Sequence, residues 1–79
     1  MSDNVNSPNH YRQGEVECID AIQSAVVGAS PMEAVFVANI IKYVWRYRRK
    51  NGIEDLKKAR WYLDALIKKV EGQNNDAID

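Results

Sequence analysis

The residues best able to do chemistry lie along one face of a predicted central helix. Asn39, Lys42, Tyr43, Arg46 and Lys50 occupy positions i, i+3, i+4, i+7 and i+11, which places them in one stripe. An amide, a phenol and three cations in one stripe suit an anionic ligand, with the cations on phosphate groups. The alternative interpretation is an ordinary solvated helix face, and the residues alone leave both open.

Carboxylates on other elements could complete such a site. Glu17 and Asp20 lie three residues apart, so both point to the same side of a helix. In that arrangement they could hold a magnesium ion that bridges phosphate oxygens, accept a proton, or pair with basic side chains. A solvated surface pair is the alternative. Asp55, at the start of the last predicted helix, is a third candidate carboxylate.

Aromatic side chains could bind the base of a nucleotide. Tyr11, Tyr43 and Trp61 are the candidates for stacking on a planar ring. His10 is the only histidine in the chain, and it could contact a base or a phosphate near neutral pH. A cap or a packing residue is the alternative role for His10. Cys18 is interpreted as a small buried hydrophobic residue.

Several functions are disfavoured by composition and by missing motifs. Eleven basic residues balance eleven acidic ones, which disfavours a general nucleic-acid-binding surface. A single cysteine excludes an intramolecular disulfide and a cysteine-based zinc site. Neither GxxxxGK[ST] nor GxGxxG nor HExxH occurs, so no standard phosphate loop or zinc-protease motif is present. No apolar run approaches about eighteen residues and no signal peptide is recognisable, so we expect a soluble cytoplasmic protein.

Three helices are predicted to position these side chains, at about Glu15–Val27, Pro31–Arg49 and Ile53–Val70. Gly28 is suited to end the first helix in a left-handed conformation. Ser30 as N-cap, Pro31 at the first helical position and Glu33 form the pattern of a capping box. Asn51-Gly52 is a turn signal that ends the second helix.

Each predicted helix has an apolar face that should form the core. The central helix contributes Phe36, Val37, Ile40, Ile41, Val44 and Trp45, and the last contributes Ile53, Leu56, Ala59, Leu63, Leu66, Ile67 and Val70. Trp61 lies off this last stripe, so we expect it to be exposed and to meet a partner, either another subunit or a stacked ring. We therefore predict an all-α, compact three-helix domain over residues 10–70 that forms a homo-oligomer. Residues 1–9 should be flexible and residues 71–79 disordered.

Four segments of the chain resemble a small bacteriophage domain family. They are NSPNHY at 6–11, GEVECIDAI at 14–22, NIIKYVWR at 39–46 and KNGIEDLKKARWYLDALI at 50–67. That family is known as one of unknown function or, after one lineage, as "phage nucleotide kinase". The resemblance implies a helical protein of a phage or prophage, acting in the cytoplasm of the bacterial host. It also implies nucleoside monophosphate kinase activity without a classical phosphate-binding loop.

The resemblance also suggests which residues would act. His10 and Tyr11 match the family's HY pair, and the carboxylates of the ECID segment, Glu17 and Asp20, would be catalytic and would bind Mg²⁺. The resemblance and the residue pattern of the helix stripe, which contributes Lys50, together predict the residues that would bind the nucleotide, ATP or another: His10, Tyr11, Asn39, Lys42, Tyr43, Arg46 and Lys50. The alternative function is a non-catalytic phage accessory protein that binds a host protein or sequesters a nucleotide.

Overall fold

A computed structural model describes the backbone of residues 12–78 and the side chains of residues 14–73. Within that range the chain forms two short strands followed by three α-helices. The strands are β1 (Arg12–Gln13) and β2 (Val16–Glu17), and the helices are α1 (Cys18–Ala25), α2 (Pro31–Arg46) and α3 (Ile53–Ile78). The predicted all-α, three-helix architecture is confirmed, with a small β-hairpin at its start.

The β-hairpin replaces the first turn that was predicted for the first helix. Arg12 pairs with Glu17 and Gln13 with Val16 in antiparallel register, so the loop consists of Gly14 and Glu15 alone. Two-residue hairpin loops need positive φ angles, and Gly14 adopts φ +68°. The helix consequently begins at Cys18 and ends at Ala25, which is shorter than the predicted span of Glu15–Val27.

The link between α1 and α2 follows its local sequence signals. Gly28 lies three residues after the end of α1 and has φ +84°, in a turn that the Ala29 N–H closes by donating to the Val26 carbonyl oxygen at 2.9 Å. The backbone N–H of Glu33 donates to Ser30 Oγ at 3.3 Å, and the N–H of Ser30 donates to Glu33 Oε1 at 3.2 Å. With Pro31 in the first turn, the predicted capping box is confirmed.

Helices α2 and α3 pack side by side as an antiparallel hairpin. A 3-10 turn, Tyr47–Arg49, follows α2, and the Gly52 N–H donates to the Tyr47 carbonyl oxygen at 2.9 Å. Gly52 has φ +56°, which permits the tight reversal. At its other end α3 continues to Ile78 rather than ending near Val70, so residues 71–78 extend a helix where the composition predicted disorder.

The apolar stripe of α3 and its buried face do not coincide. Ala59 is 5% exposed and Asp55 is fully buried, whereas Ile53, Leu63 and Ile67 are 65%, 43% and 45% exposed. The centres of the stripe and of the buried face differ by roughly a fifth of a helical turn. The prediction that the whole stripe forms the core is therefore wrong for these three residues, because α2 contacts α3 through polar and aromatic side chains as well.

Candidate functional site

Tyr43 is the centre of a cluster of aromatic rings and cations between α2 and α3. Its ring stacks on Tyr62 of α3, with centroids 6.0 Å apart and planes 19° from parallel. Three cations lie over the Tyr43 ring: Lys42 Nζ at 4.5 Å, Arg46 Cζ at 5.0 Å and Lys58 Nζ at 5.6 Å from the centroid. All three distances are within the range of cation–π attraction.

An open groove lies next to this cluster. It has a volume of about 320 Å³ and is lined by Tyr43, Lys58, Trp61 and Tyr62. Trp61 meets Tyr62 edge to face at 5.0 Å, with planes 81° apart, and is 63% exposed. The exposure predicted for Trp61 is confirmed. The groove thus offers aromatic surface for a planar ring, beside a cation that can meet a negative charge.

Arg46 has a partner inside the protein. Its Nε donates to Asp55 Oδ2 at 3.3 Å and its Nη2 donates to Asp55 Oδ1 at 3.2 Å, so the guanidinium grips the carboxylate with two bonds. Asn51 adds a backbone N–H to Oδ2 at 3.2 Å and a side-chain amide to Oδ1 at 3.5 Å. The four donors close the turn between α2 and α3. These bonds give Arg46 a structural role in the turn. Phosphate binding by Arg46 stays a prediction.

The surroundings of Asp55 fix its charge. Burial by itself raises the pKa of the carboxyl group, because a buried charge loses its hydration. The hydrogen bonds from Arg46 and Asn51, together with the positive charge of Arg46, outweigh burial and lower the pKa below its ordinary value. Asp55 is consequently an ionised anchor for the turn.

Two lysines near the groove differ from Arg46 in having no such anchor. Among the side chains of residues 14–73, Arg46 forms an ion pair with Asp55 on this face of the hairpin, and Lys42 and Lys58 form none. Lys42 and Lys58 instead approach Tyr43 from α2 and α3. The aromatic surface therefore has two cations beside it that form no ion pair with a carboxylate among those residues.

The remaining residues of the predicted stripe lie outside the groove. The Asn39 amide donates to the Val35 carbonyl oxygen at 2.8 Å, one turn back along α2. Lys50 is exposed in the turn before α3, beyond the end of α2 and seven residues after Tyr43. The structure therefore groups Lys42, Tyr43 and Arg46 and does not bring Lys50 to them. Phosphate binding by Lys50 stays a prediction.

Glu17 and Asp20 lie on either side of a buried cysteine at the start of α1. Glu17 is the N-cap of α1 without a capping side-chain bond, and Asp20 is exposed in the first turn. Burial raises the pKa of the Cys18 thiol, and the nearby positive charge of Lys42 partly offsets this rise. The start of α1 therefore lies close to Lys42 on α2. Among the described side chains, no group of three or more His, Cys, Asp and Glu residues could hold a metal ion. Magnesium binding by this pair stays a prediction.

Some site residues were identified from the sequence and others were not. His10 and Tyr11 lie outside the described residues, so their predicted contacts to a nucleotide stay predictions. Tyr62 and Lys58 were not among the predicted binding residues, although both line the groove. The signal that could have found them is the hairpin itself, since the turn at Asn51-Gly52 sets residues before and after it opposite one another.

The fold and the groove define a small helical domain with an aromatic and cationic surface site. Residues 5–64 match the model of DUF3310, a family of proteins of unknown function, and the chain belongs to that family. No curated protein and no solved structure matches the chain significantly. None of the described helices is both long enough and apolar enough to cross a membrane.

Proposed function

We propose that the protein binds a nucleotide in the groove lined by Tyr43, Lys58, Trp61 and Tyr62. The observation that carries the proposal is the combination of an exposed indole and a stacked tyrosine pair with two cations that lack a carboxylate partner within residues 14–73. A base would stack on Trp61, and its phosphates would face Lys58 and Lys42. Base stacking on an aromatic side chain contributes about 1–3 kcal/mol.

The groove supports binding of one nucleotide better than transfer between two. About 320 Å³ is at the small end of ligand sites, whereas a kinase must hold a donor and an acceptor together. The resemblance to phage nucleotide kinases is the reason to test phosphoryl transfer as well. In either case the protein would act in the cytoplasm of a bacterium that carries the phage or prophage. A nucleotide-sequestering accessory protein fits this open groove, and kinase activity is the second candidate.

Calorimetric titration with matched ligands tests the proposal. The panel contains ATP, the four deoxynucleoside monophosphates, the corresponding nucleosides, which lack phosphate, and inorganic pyrophosphate, which lacks a base. We expect at least one nucleotide to bind more tightly than either its nucleoside or pyrophosphate, because the groove offers both stacking and charge. Binding should weaken as salt is raised, since the lysines are near solvent. No binding by any nucleotide up to millimolar concentration refutes the proposal.

Two variants locate the site. Trp61→Leu should weaken binding about tenfold or more, because it removes the stacking surface. Lys58→Gln should weaken nucleotide binding several-fold while leaving nucleoside binding unchanged, because it removes charge alone. Lys68→Gln is the matched control, an exposed lysine about 15 Å further along the same helix. Equal affinities in all three variants would place the nucleotide elsewhere on the protein.

An assay for diphosphate formation separates a kinase from a binder. The bound monophosphate is incubated with ATP and Mg²⁺, and the products are resolved by chromatography. Turnover that Glu17→Gln or Asp20→Asn abolishes, with binding retained, would support the catalytic and magnesium roles predicted for these carboxylates. Tight binding without diphosphate at any protein concentration would identify a nucleotide-sequestering protein.

A further inference from the structure

A second feature of α3 is independent of the groove. Six positions along the helix alternate spacings of three and four residues, the pattern of the two core positions of a coiled-coil heptad. Five are aliphatic and one is basic: Ile53, Leu56, Arg60, Leu63, Ile67 and Val70. We call these six positions the α3 seam. A seam of this kind is the surface along which two helices pack knobs into holes.

The seam is only partly covered by the rest of the described chain. Ile53, Leu63 and Ile67 are 65%, 43% and 45% exposed, and Arg60 is exposed, whereas Leu56 and Val70 are half-buried. Helix α2 packs against the neighbouring face of α3, which contains Asp55 and Ala59. A largely aliphatic ridge of about 26 Å, from residue 53 to residue 70 at 1.5 Å per residue and interrupted by Arg60, is therefore partly exposed at the surface.

The seam is self-complementary in antiparallel orientation. Each heptad contributes two seam positions: Ile53, Arg60 and Ile67 are the first of each pair, and Leu56, Leu63 and Val70 are the second. When two copies of α3 run in opposite directions, a first position of one helix packs against a second position of the other. One register pairs every member at once: Ile53 with Val70, Leu56 with Ile67, and Arg60 with Leu63 of the second copy, and the same three pairs again by symmetry. A two-fold axis between positions 61 and 62 produces this pairing, as a closed homodimer requires.

The charges beside the seam favour the same orientation. In the antiparallel register Lys57 of one copy lies beside Asp64 of the other, and this pair occurs twice; both residues are exposed. In a parallel register Arg60 would face Arg60, and the positions opposite Asp64 would be Ala59 and Leu66, which carry no charge. Like charges facing each other in one layer are unfavourable. In the antiparallel register each Arg60 instead faces Leu63, and the two Arg60 residues are offset by about 4.5 Å along the axis. The Lys57–Asp64 pairs are therefore the feature that favours the antiparallel orientation.

We infer that the α3 seam is a homodimer interface at which two copies of this chain pack antiparallel about a two-fold axis. The inference does not rest on nucleotide binding. By helical geometry the groove residues of α3, namely Lys58, Trp61 and Tyr62, lie about half a turn around the helix from the centre of the seam. The groove therefore stays open in the dimer, whereas Ile53, Leu63 and Ile67, which are exposed in one copy, become covered by the other copy.

Sedimentation and light scattering over a range of concentrations test the interface. The wild-type chain should have the mass of a dimer at about 100 µM, and Leu63→Lys should weaken dimerisation at least tenfold. Val44→Lys is the matched control, since Val44 is 47% exposed on α2 and lies off the seam. A monomeric wild type at 100 µM, or a dimer that Leu63→Lys leaves intact, overturns the inference.

Cross-linking tests the register. Ile53→Cys and Val70→Cys are made in separate chains of different mass, and each chain is oxidised alone and as a mixture. The antiparallel register predicts disulfide heterodimers in the mixture and no cross-linked homodimer from either chain alone. Cross-linked homodimers from the single variants would show the parallel arrangement and refute the register. Wild-type protein controls for the native thiol, Cys18, which is buried.

A charge swap provides an independent check. Lys57→Asp alone should weaken dimerisation several-fold, because the introduced carboxylate would then meet Asp64 of the second copy. The double variant Lys57→Asp/Asp64→Lys should restore the wild-type dissociation constant, since the pair is reversed and not removed. Residues 57 and 64 are two turns apart on one helix, so the rescue would report on the contact between copies. If the double variant instead dimerises more weakly than Lys57→Asp alone, the proposed pairing is contradicted.

Discussion

Replacing Arg46 by methionine should lower the free energy of unfolding more than a substitution at an exposed position, because Arg46 anchors the turn between α2 and α3. Methionine keeps most of the length of the side chain and the helix propensity, so the change removes chiefly the charge and the two donors. It leaves Asp55, which is fully buried, with Asn51 as its donor. A carboxylate in that position loses its neutralising partner and has no access to water.

The expected loss is large for a domain of this size. Removing one partner of a buried ion pair typically costs about 3–5 kcal/mol. Arg46 keeps a side-chain exposure of 14%, and Asn51 still supplies two hydrogen bonds to the carboxylate. Both features favour the lower end of that range, about 3 kcal/mol. For a domain of 60–100 residues this corresponds to a fall in Tm on the order of 10–20 °C.

Thermal and urea unfolding followed by circular dichroism measure the effect. Arg48→Met is the control, because Arg48 is an exposed arginine two positions further along the same turn, and its Tm should change by only a degree or two. The double variant Arg46→Met/Asp55→Leu should recover part of the loss, since it removes the unpaired charge as well. If Arg46→Met and Arg48→Met unfold at the same temperature, the ion pair does not anchor the turn.

Two further predictions concern stability. The pKa of Asp55 is lowered on folding, so its stabilising effect is present above the unfolded-state pKa of about 3.9 and is lost as pH falls through the folded-state pKa. Urea titrations from pH 6 to pH 2.5 should therefore show that the free energy of unfolding falls more steeply for the wild type than for Asp55→Asn. Parallel falls in the two proteins would contradict this prediction. Ser30→Ala should cost about 1 kcal/mol, because it removes the cap of α2, whereas the exposed Ser24→Ala in α1 should cost less, and differential scanning calorimetry compares the two.

The helix boundaries with local sequence signals were predictable. Ser30, Pro31 and Glu33 determine the start of α2 through hydrogen bonds within four residues, and Gly28 and Gly52 supply the positive φ angles that the two turns need. The β-hairpin before α1 was missed, because its strands are two residues each and leave almost no alternation of polar and apolar residues to detect.

The direction in which the polar stripe of α2 points could not be read from helical spacing. Cations on one helix face suggest solvent, yet Tyr43 and Arg46 are half-buried against α3. The reason is partners on the next helix: Asp55, nine residues after Arg46, neutralises it, and Tyr62, nineteen residues after Tyr43, stacks on it. Spacing within one helix carries no information about which residues a second helix places opposite it, so the groove became visible only with the hairpin.

Helix α3 is longer than the part of the chain that matches the family. The match to the family ends at residue 64, whereas α3 continues to Ile78, about 21 Å further at 1.5 Å per residue. Asp55, Lys58, Trp61 and Tyr62 all lie in the part shared with the family. The later turns extend beyond the groove as a rod, so changes in their length or sequence could alter what the protein assembles with while leaving the ligand site as it is.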